Sequence, residues 1–163
     1  MSIRNFYFYK DMKILDIIRK ETIIADLKSK DKQEVLEELS VPVAKITGIK
    51  QVDLIRVLQE RERLGSTGIG GGIGIPHGKL KNIDAPILGF GLSRGGVDFD
   101  SLDGRPTRIF FLLFTPDSST GLHLKLLARI SRILKNDPFK ESLLKARDSD
   151  EILGLIGEED EEF

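Results

Sequence analysis

The sequence contains no cysteine and only two histidines. The first absence excludes disulfides, thiolate zinc sites, iron–sulfur clusters and cysteine nucleophiles, and the second argues against a histidine-rich metal site. No apolar run approaches the roughly 20 residues of a membrane span, and the N-terminus lacks the apolar core of a secretory signal. These absences predict a cytoplasmic protein that inserts no segment into a membrane and needs no metal or other cofactor.

An excess of charge of either sign is also missing. Lys+Arg total 25 and Asp+Glu total 26, which leaves a formal net charge of −1. Because binding to a phosphate backbone needs a clear basic excess or patch, this balance argues against nucleic acid as a partner. Hydrophobic residues make up 40% of the 163 positions and charged residues 31%, which is typical of a globular domain, and the length fits one such domain.

Helical and strand patterns alternate along the chain. Helical periodicity and capping signals predict helices over residues 14–18, 31–48, 51–64, 120–134, 139–146 and 150–156. Short apolar runs predict strands over residues 22–25, 73–75, 85–92 and 108–115. The last of these runs is almost continuously apolar, which indicates a strand covered on both faces. The order of the elements predicts an α/β layered domain with a central sheet.

Glycine is dense between Leu64 and Leu80, where the chain reads LGSTGIGGGIGIPHGKL. Such density indicates tight turns or a close approach of the backbone to a ligand. A nucleotide cradle is a poor interpretation, because neither G-x-x-x-x-G-K-[ST] nor G-x-G-x-x-G occurs. Asp98, Asp100 and Asp103 lack the spacing and the closing glutamate of a calcium-binding EF-hand loop, so we interpret them as a solvated turn.

Three polar side chains stand where the pattern predicts burial or constraint: Arg61 on an apolar helix face, His77 after the glycine-rich loop, and His123 in the first turn of a helix. An imidazole titrates near neutrality and can attack a phosphoryl group. A guanidinium offers a fixed fork of donors to phosphate oxygens, and a helix N-terminus favours negative charge. Ser66 and Thr67 add hydroxyl donors. Gathered at one sheet edge, these groups would hold a phosphoryl group during transfer without a metal.

Each of these residues also has a purely structural interpretation. His77 suits a turn or packing position, and His123 suits a capping or packing position. Arg61 at the end of its helix suits a side chain that reaches out to water. Ser66 and Thr67 suit the cap of a loop turn. The residues alone leave these alternatives open.

Residues 61–79, RERLGSTGIGGGIGIPHGK, resemble the signature of the enzyme IIA proteins of the bacterial phosphotransferase system, in the fructose/mannitol class (type 2). The signature combines Arg-Glu, Gly-Ser-Thr-Gly-Ile-Gly and Ile-Pro-His-Gly. The resemblance continues through Asp103-Gly104, the strand RIFFLLFTP and the helix that carries His123.

The resemblance implies a single α/β domain over residues 12–157, with a mixed central sheet flanked by helices on both faces, a fold like that of phosphotransferase and anion-transport proteins. Residues 1–11 are then an N-terminal extension. Residues 158–163 are rich in carboxylates and are expected to form a solvated acidic tail.

The resemblance also implies a role for each candidate residue. His77 matches the phosphorylated histidine, His123 the second active-site histidine, and Arg61 the arginine that contacts the phosphoryl group. Ser66 and Thr67 match the hydroxyl residues beside the site. The donor would be the histidine phosphocarrier protein, phosphorylated by enzyme I from phosphoenolpyruvate, and in transport members the acceptor is a cysteine on enzyme IIB.

Three functions are compatible with this resemblance. The freestanding length and the GSTGIG form, with Ser66 before Thr67, look more like the nitrogen-regulatory branch, in which phosphorylation controls binding to potassium-transport regulators and kinases. A sugar-specific enzyme IIA that serves a fructose or mannitol enzyme IIB is the alternative. A regulatory binding module without turnover is a second alternative, against which the presence of all three of Arg61, His77 and His123 counts.

Overall fold

The computed structural model describes residues 12–161. In this range the helices and strands begin and end as follows: β1 Ile18–Ile24, α1 Lys32–Thr47, α2 Gln51–Arg63, β2 Gly68–Gly70, β3 Ile73–Gly74, β4 His77–Leu80, β5 Ile87–Val97, β6 Thr107–Pro116, α3 Thr120–Ile133, α4 Asp137–Lys145 and α5 Ser149–Glu161. A single 3-10 turn, Ile14–Asp16, precedes β1.

The six strands form one mixed sheet in the order β1-β5-β6-β3-β2, with β4 also paired to β6. Strands β5 and β6 are antiparallel, whereas β1 runs parallel to β5. Strands β3 and β4 both run parallel to β6 and follow one another along the same edge of it. This edge presents His77 opposite Leu113 and Lys79 opposite Thr115.

Helices cover the sheet on both faces, as predicted. Alternate residues of β6 point to opposite sides, so Phe111 and Leu113 join the core under α3, α4 and α5, while Phe110 and Leu112 join the core under α1 and α2. All four of these side chains are fully buried. The continuous apolar run of this strand is therefore explained by burial on both of its faces.

The ends of the helices follow local signals in the sequence. The Asp31 side chain accepts a hydrogen bond from the Glu34 N–H at 2.9 Å and caps α1. Gly48 ends the same helix with a left-handed φ of 75°. In α2, Leu54 and Leu58 are buried as the periodicity predicts, but Leu64 lies beyond the helix end and is 84% exposed.

Two predictions of local structure are wrong. The helix predicted over residues 14–18 is only the 3-10 turn, because Ile18 already pairs with Leu88 as the first residue of β1. The solvated acidic tail predicted over residues 158–163 is instead the end of α5, which continues through Glu161. Glu158 and Glu161 are exposed there, but Glu159 and Asp160 are buried. Asp160 is completely buried there and accepts a hydrogen bond from Arg129 Nε at 2.7 Å.

The N-terminal extension predicted over residues 1–11 lies outside the described residues. Among the helices of residues 12–161, none combines the length and apolar character that crossing a bilayer requires.

Candidate active site

His77 opens β4, at the edge of the sheet where that strand pairs with β6. Its Nδ1 lies 2.6 Å from the carbonyl oxygen of Ile75. A carbonyl can only accept a hydrogen bond, so Nδ1 must carry the proton. The neutral ring therefore keeps its lone pair on Nε2, and the backbone has selected the nitrogen that can act as a nucleophile.

Arg61 approaches that nitrogen from the last turn of α2. Its Nε donates to His77 Nε2 at 3.1 Å, and its Nη1 donates to the Gly65 carbonyl at 2.8 Å. The helix can come this close because residue 78 is glycine: a Cβ there would lie 2.3 Å from Val57 Cγ1. The missing side chain lets α2 pack directly against β4.

His123 approaches from the other side, in α3. The centroids of the His77 and His123 rings are 5.3 Å apart, and the ring planes are inclined by 55°. The His123 side chain is buried, and its Nδ1 lies 2.5 Å from Thr115 Oγ1. Lys79 Nζ donates to Thr120 Oγ1 at 3.1 Å, which joins β4 to the first residue of the same helix. Arg61, His77 and His123 thus converge at one edge of the sheet.

Both imidazoles are shifted towards the neutral form. Burial lowers the pKa of His77 below its usual 6.5, and the nearby Arg61 lowers it further, against the opposing effect of the Ile75 carbonyl. Burial, together with the positive charges of Lys79 and Arg61 and the His77 ring, lowers the pKa of His123 to about 4. Near neutral pH the site therefore offers an unprotonated nucleophile beside a fixed guanidinium charge.

The Ser66 and Thr67 side chains are engaged with the protein. The Ser66 hydroxyl donates to the Phe99 carbonyl at 2.9 Å and accepts from the Gly68 N–H at 3.0 Å. Thr67 is buried, and its hydroxyl donates to Glu62. Direct contact between these hydroxyls and a phosphoryl group stays a prediction. Such contact would require the hydroxyls to exchange their present partners for phosphoryl oxygens.

Glu62 holds the end of α2 and is not among the residues that the sequence predicts for the site. Its side chain is only 7% exposed and forms an ion pair with Lys32 Nζ at 2.7 Å. It also accepts the Thr67 N–H at 3.1 Å. Because Glu62 follows Arg61 directly, this network fixes the end of α2 and the loop after it. Only its place beside Arg61 in the motif could have drawn attention to it, since the partners lie on other elements.

The glycine-rich hairpin of β2 and β3 is held by Asp103. That carboxylate accepts hydrogen bonds from the Gly71 N–H at 2.9 Å and the Arg105 N–H at 3.0 Å. Together with the Ser101 hydroxyl, these donors lower its pKa to about 2. The predicted aspartate turn thus holds the hairpin in place through hydrogen bonds. Within residues 12–161, no group of three or more histidine, aspartate or glutamate side chains is arranged to bind a metal ion.

The arrangement supplies the groups that a phosphoryl transfer needs. His77 Nε2 offers a lone pair, the Arg61 guanidinium offers donors for phosphoryl oxygens, and His123 offers a second ring within reach. These groups lie beside one another before any ligand arrives, so stabilisation of a transition state requires only that Arg61 exchange its present partners for phosphoryl oxygens.

Known proteins are similar to this chain in sequence and fold. A family model described as "Phosphoenolpyruvate-dependent sugar phosphotransferase system, EIIA 2" matches residues 16–159. A nitrogen regulatory protein of Bradyrhizobium diazoefficiens is 37% identical over 145 residues, which cover 89% of this chain and 95% of the relative. The fructose-specific EIIABC component of Bacillus subtilis is 34% identical over 150 residues, which cover 91% of this chain but 24% of that longer protein.

A solved structure is also similar to this chain in its fold. The crystal structure of nitrogen regulatory protein IIA-Ntr from Neisseria meningitidis has a TM-score of 0.83 and 29% sequence identity, covering 88% of this chain and 98% of the other. The resemblance found in residues 61–79 is therefore confirmed at the level of the family. The chain belongs to the EIIA type 2 family of the phosphoenolpyruvate-dependent sugar phosphotransferase system.

Proposed function

We propose that the chain is a phosphocarrier that accepts a phosphoryl group on Nε2 of His77 from the phosphorylated histidine phosphocarrier protein. Its output is regulatory, in a nitrogen-type phosphotransferase system. Membership of the family makes the chain a phosphoryl-transfer protein. The observation that carries the finer proposal is the convergence of Arg61 and His123 on one imidazole whose Nδ1 is already occupied.

The transfer step balances with the groups in the site. The His77 Nε2 lone pair attacks the phosphorus of the donor's phosphohistidine, a P–N bond forms to His77, and the P–N bond to the donor breaks. The released electron pair returns to the donor's imidazole. Nδ1 of His77 keeps its proton throughout and donates it in a hydrogen bond to the Ile75 carbonyl. Phosphorylation of the neutral ring at Nε2 therefore makes the ring cationic, and a cationic ring is a good leaving group for onward transfer.

Arg61 and His123 act on the phosphoryl oxygens. In the unphosphorylated protein the Arg61 Nε–H donates a hydrogen bond to the lone pair of His77 Nε2. As phosphorus takes that place, the guanidinium turns to the oxygens and balances their charge. The His123 nitrogen that does not face Thr115 is available as a second donor.

Two observations favour the regulatory branch over sugar transport. The chain covers 95% of the Bradyrhizobium relative at 37% identity, and the Neisseria IIA-Ntr structure matches over 98% of its length. Potassium-transport regulators and kinases are the proposed targets of such a protein. The 34% identity to the Bacillus fructose component keeps sugar uptake, with a cysteine of enzyme IIB as acceptor, as the second candidate.

Labelling tests the phosphocarrier assignment. The protein is incubated with enzyme I, the histidine phosphocarrier protein and labelled phosphoenolpyruvate. We expect acid-labile, base-stable label on the wild type and on His123→Ala, at a lower rate, but none on His77→Ala. Equal labelling of wild type and His77→Ala would refute the assignment, and absence of label on wild type would favour a binding module without turnover.

The two branches are separated by the fate of the phosphoryl group. Phosphorylated protein is mixed with fructose-type and mannitol-type enzyme IIB, and loss of label is followed with time. For the regulatory branch we expect slow loss with both, together with phosphorylation-dependent binding to a potassium-transport regulator or a kinase. Rapid transfer to one enzyme IIB would instead support sugar uptake.

A further inference from the structure

Thr115 lies behind the second histidine, on β6. It is completely buried, and its Oγ1 lies 2.5 Å from His123 Nδ1. Within residues 12–161 the structure shows no other hydrogen-bond partner for this hydroxyl. The pairing of β6 with β4 sets Thr115 directly opposite Lys79, two residues after His77, so the hydroxyl is fixed relative to the site by the sheet itself.

The direction of this hydrogen bond decides what His123 can do. A neutral imidazole carries one N–H. If the threonine O–H donates to Nδ1, the proton of the ring is on Nε2, which can then donate to a phosphoryl oxygen. If Nδ1–H donates to the threonine, Nε2 holds a lone pair that would repel the same oxygen.

Burial favours the first direction. When Nδ1–H is the donor, the threonine proton has no acceptor among the described residues and is left unpaired in a buried environment, which is unfavourable. When the hydroxyl is the donor, both the threonine proton and the Nδ1 lone pair are satisfied. The opposite assignment holds at His77, where a carbonyl forces the proton onto Nδ1.

We propose that the Thr115 hydroxyl is a positioning group that holds His123 in the Nε2–H tautomer, so that the ring donates to the phosphoryl group on His77. This inference rests on the proposed function for its consequence, but the tautomer itself is a property of the unphosphorylated protein. It assigns the two histidines complementary protonation: a lone pair on Nε2 of His77 and a proton on Nε2 of His123.

Nitrogen-15 NMR of the histidine side chains tests the tautomer without any transfer reaction. We expect the Nε2–H pattern alone for His123 in wild type and in Thr115→Ser, which keeps the hydroxyl. In Thr115→Val, which has nearly the same shape but no hydroxyl, we expect a mixture of the two tautomers. Thr107→Val is the matched control, because Thr107 is buried on the same strand and its hydroxyl has no hydrogen-bond partner within the described residues.

Transfer kinetics give the second readout. We expect Thr115→Val to slow phosphorylation of His77 about tenfold to a hundredfold, with recovery in Thr115→Ser and no change in Thr107→Val. An Nδ1–H tautomer in wild type, or wild-type rates in Thr115→Val, would overturn the proposal. The wild-type spectrum decides the tautomer even if Thr115→Val does not fold. Failure of wild type to accept label would count against the phosphocarrier function and leave the tautomer result standing.

Discussion

Arg61 Nε lies 3.1 Å from His77 Nε2 and donates to the nitrogen that would bond to phosphorus. The arginine therefore has two successive partners in the proposed reaction: the lone pair of the nucleophile at rest, and the phosphoryl oxygens during transfer. Its positive charge also lowers the pKa of His77. Removing it should change the basicity of the nucleophile and the stability of the transition state by separate routes.

Arg61→Ala is expected to raise the pKa of His77 and to slow phosphorylation on the order of 10²–10³-fold. The pKa rises because a nearby positive charge is lost, and the rate falls because phosphoryl oxygens lose their donors. NMR titration of the His77 ring and single-turnover labelling measure the two effects. Arg63→Ala, an exposed arginine in the same turn, is the control and should alter neither. A normal rate in Arg61→Ala would show that the arginine is structural.

His123 predicts how stability depends on pH. Its pKa is about 4 in the folded protein and 6.5 when unperturbed. As pH falls below 6.5 the unfolded chain takes up this proton first, so the free energy of unfolding falls between pH 6.5 and about 4. The loss attributable to His123 reaches roughly 3 kcal/mol at most. Urea unfolding at pH 7 and pH 4.5 measures it.

His123→Gln serves as the comparison for that measurement, because the change removes this one imidazole and leaves every carboxylate in place. The variant should lose less stability between pH 7 and pH 4.5 than wild type. The smaller dependence that remains includes His77, whose pKa is also lowered. Identical pH dependence in the two proteins would contradict the assignment of a neutral, buried His123.

Glu62→Ala should destabilise the protein and slow phosphoryl transfer without touching the reacting atoms. The change removes the acceptor for Thr67 and leaves Lys32 without its close carboxylate. We expect a loss of about 2–3 kcal/mol in the free energy of unfolding, since a largely buried ion pair is broken. Glu60→Ala removes an exposed carboxylate from the same helix and should change stability by less than about 0.5 kcal/mol. Equal effects of the two changes would show that the Glu62 network does not hold the loop.

Gly78→Ala should separate α2 from β4. The new Cβ meets Val57 Cγ1 at 2.3 Å, and overpacking of this kind costs about 1–3 kcal/mol. Transfer should slow as Arg61 moves away from His77. Adding Val57→Ala creates space, so the double variant should recover part of the rate. Gly154→Ala, where a Cβ has open space, should leave the rate unchanged; failure of Val57→Ala to restore any activity would argue against this clash.

The sequence predicted the layers of the fold because the pattern of each element is local. The apolar run of β6 and the caps of α1 carry their own signals, and the structure agrees with both. The prediction of a solvated tail fails because the burial of its residues is not decided locally. Its carboxylates indicate solvation, but Asp160 is buried against Arg129, which stands 31 residues earlier in the chain. Charge alone does not reveal a partner at that distance.

The candidate site likewise contains residues that the sequence reveals and contacts that it does not reveal. Arg61, His77 and His123 stand out because each interrupts an apolar or glycine-rich pattern. The hydrogen bonds of the two rings to the Ile75 carbonyl and the Thr115 hydroxyl leave no such mark, since isoleucine and threonine are common in strands. Their importance follows from which atoms the sheet brings within 2.6 and 2.5 Å of the two rings.

The contact between His77 and the main chain at residue 75 has an evolutionary consequence. A carbonyl belongs to every amino acid, so no replacement of the Ile75 side chain can take this acceptor away. A substitution at residue 75 therefore leaves the lone pair on His77 Nε2. The tautomer of His123, by contrast, depends on the Thr115 hydroxyl, which a single substitution can remove. Substitutions that accumulate in proteins with this site should therefore change the rate of phosphoryl transfer before they change which nitrogen is phosphorylated.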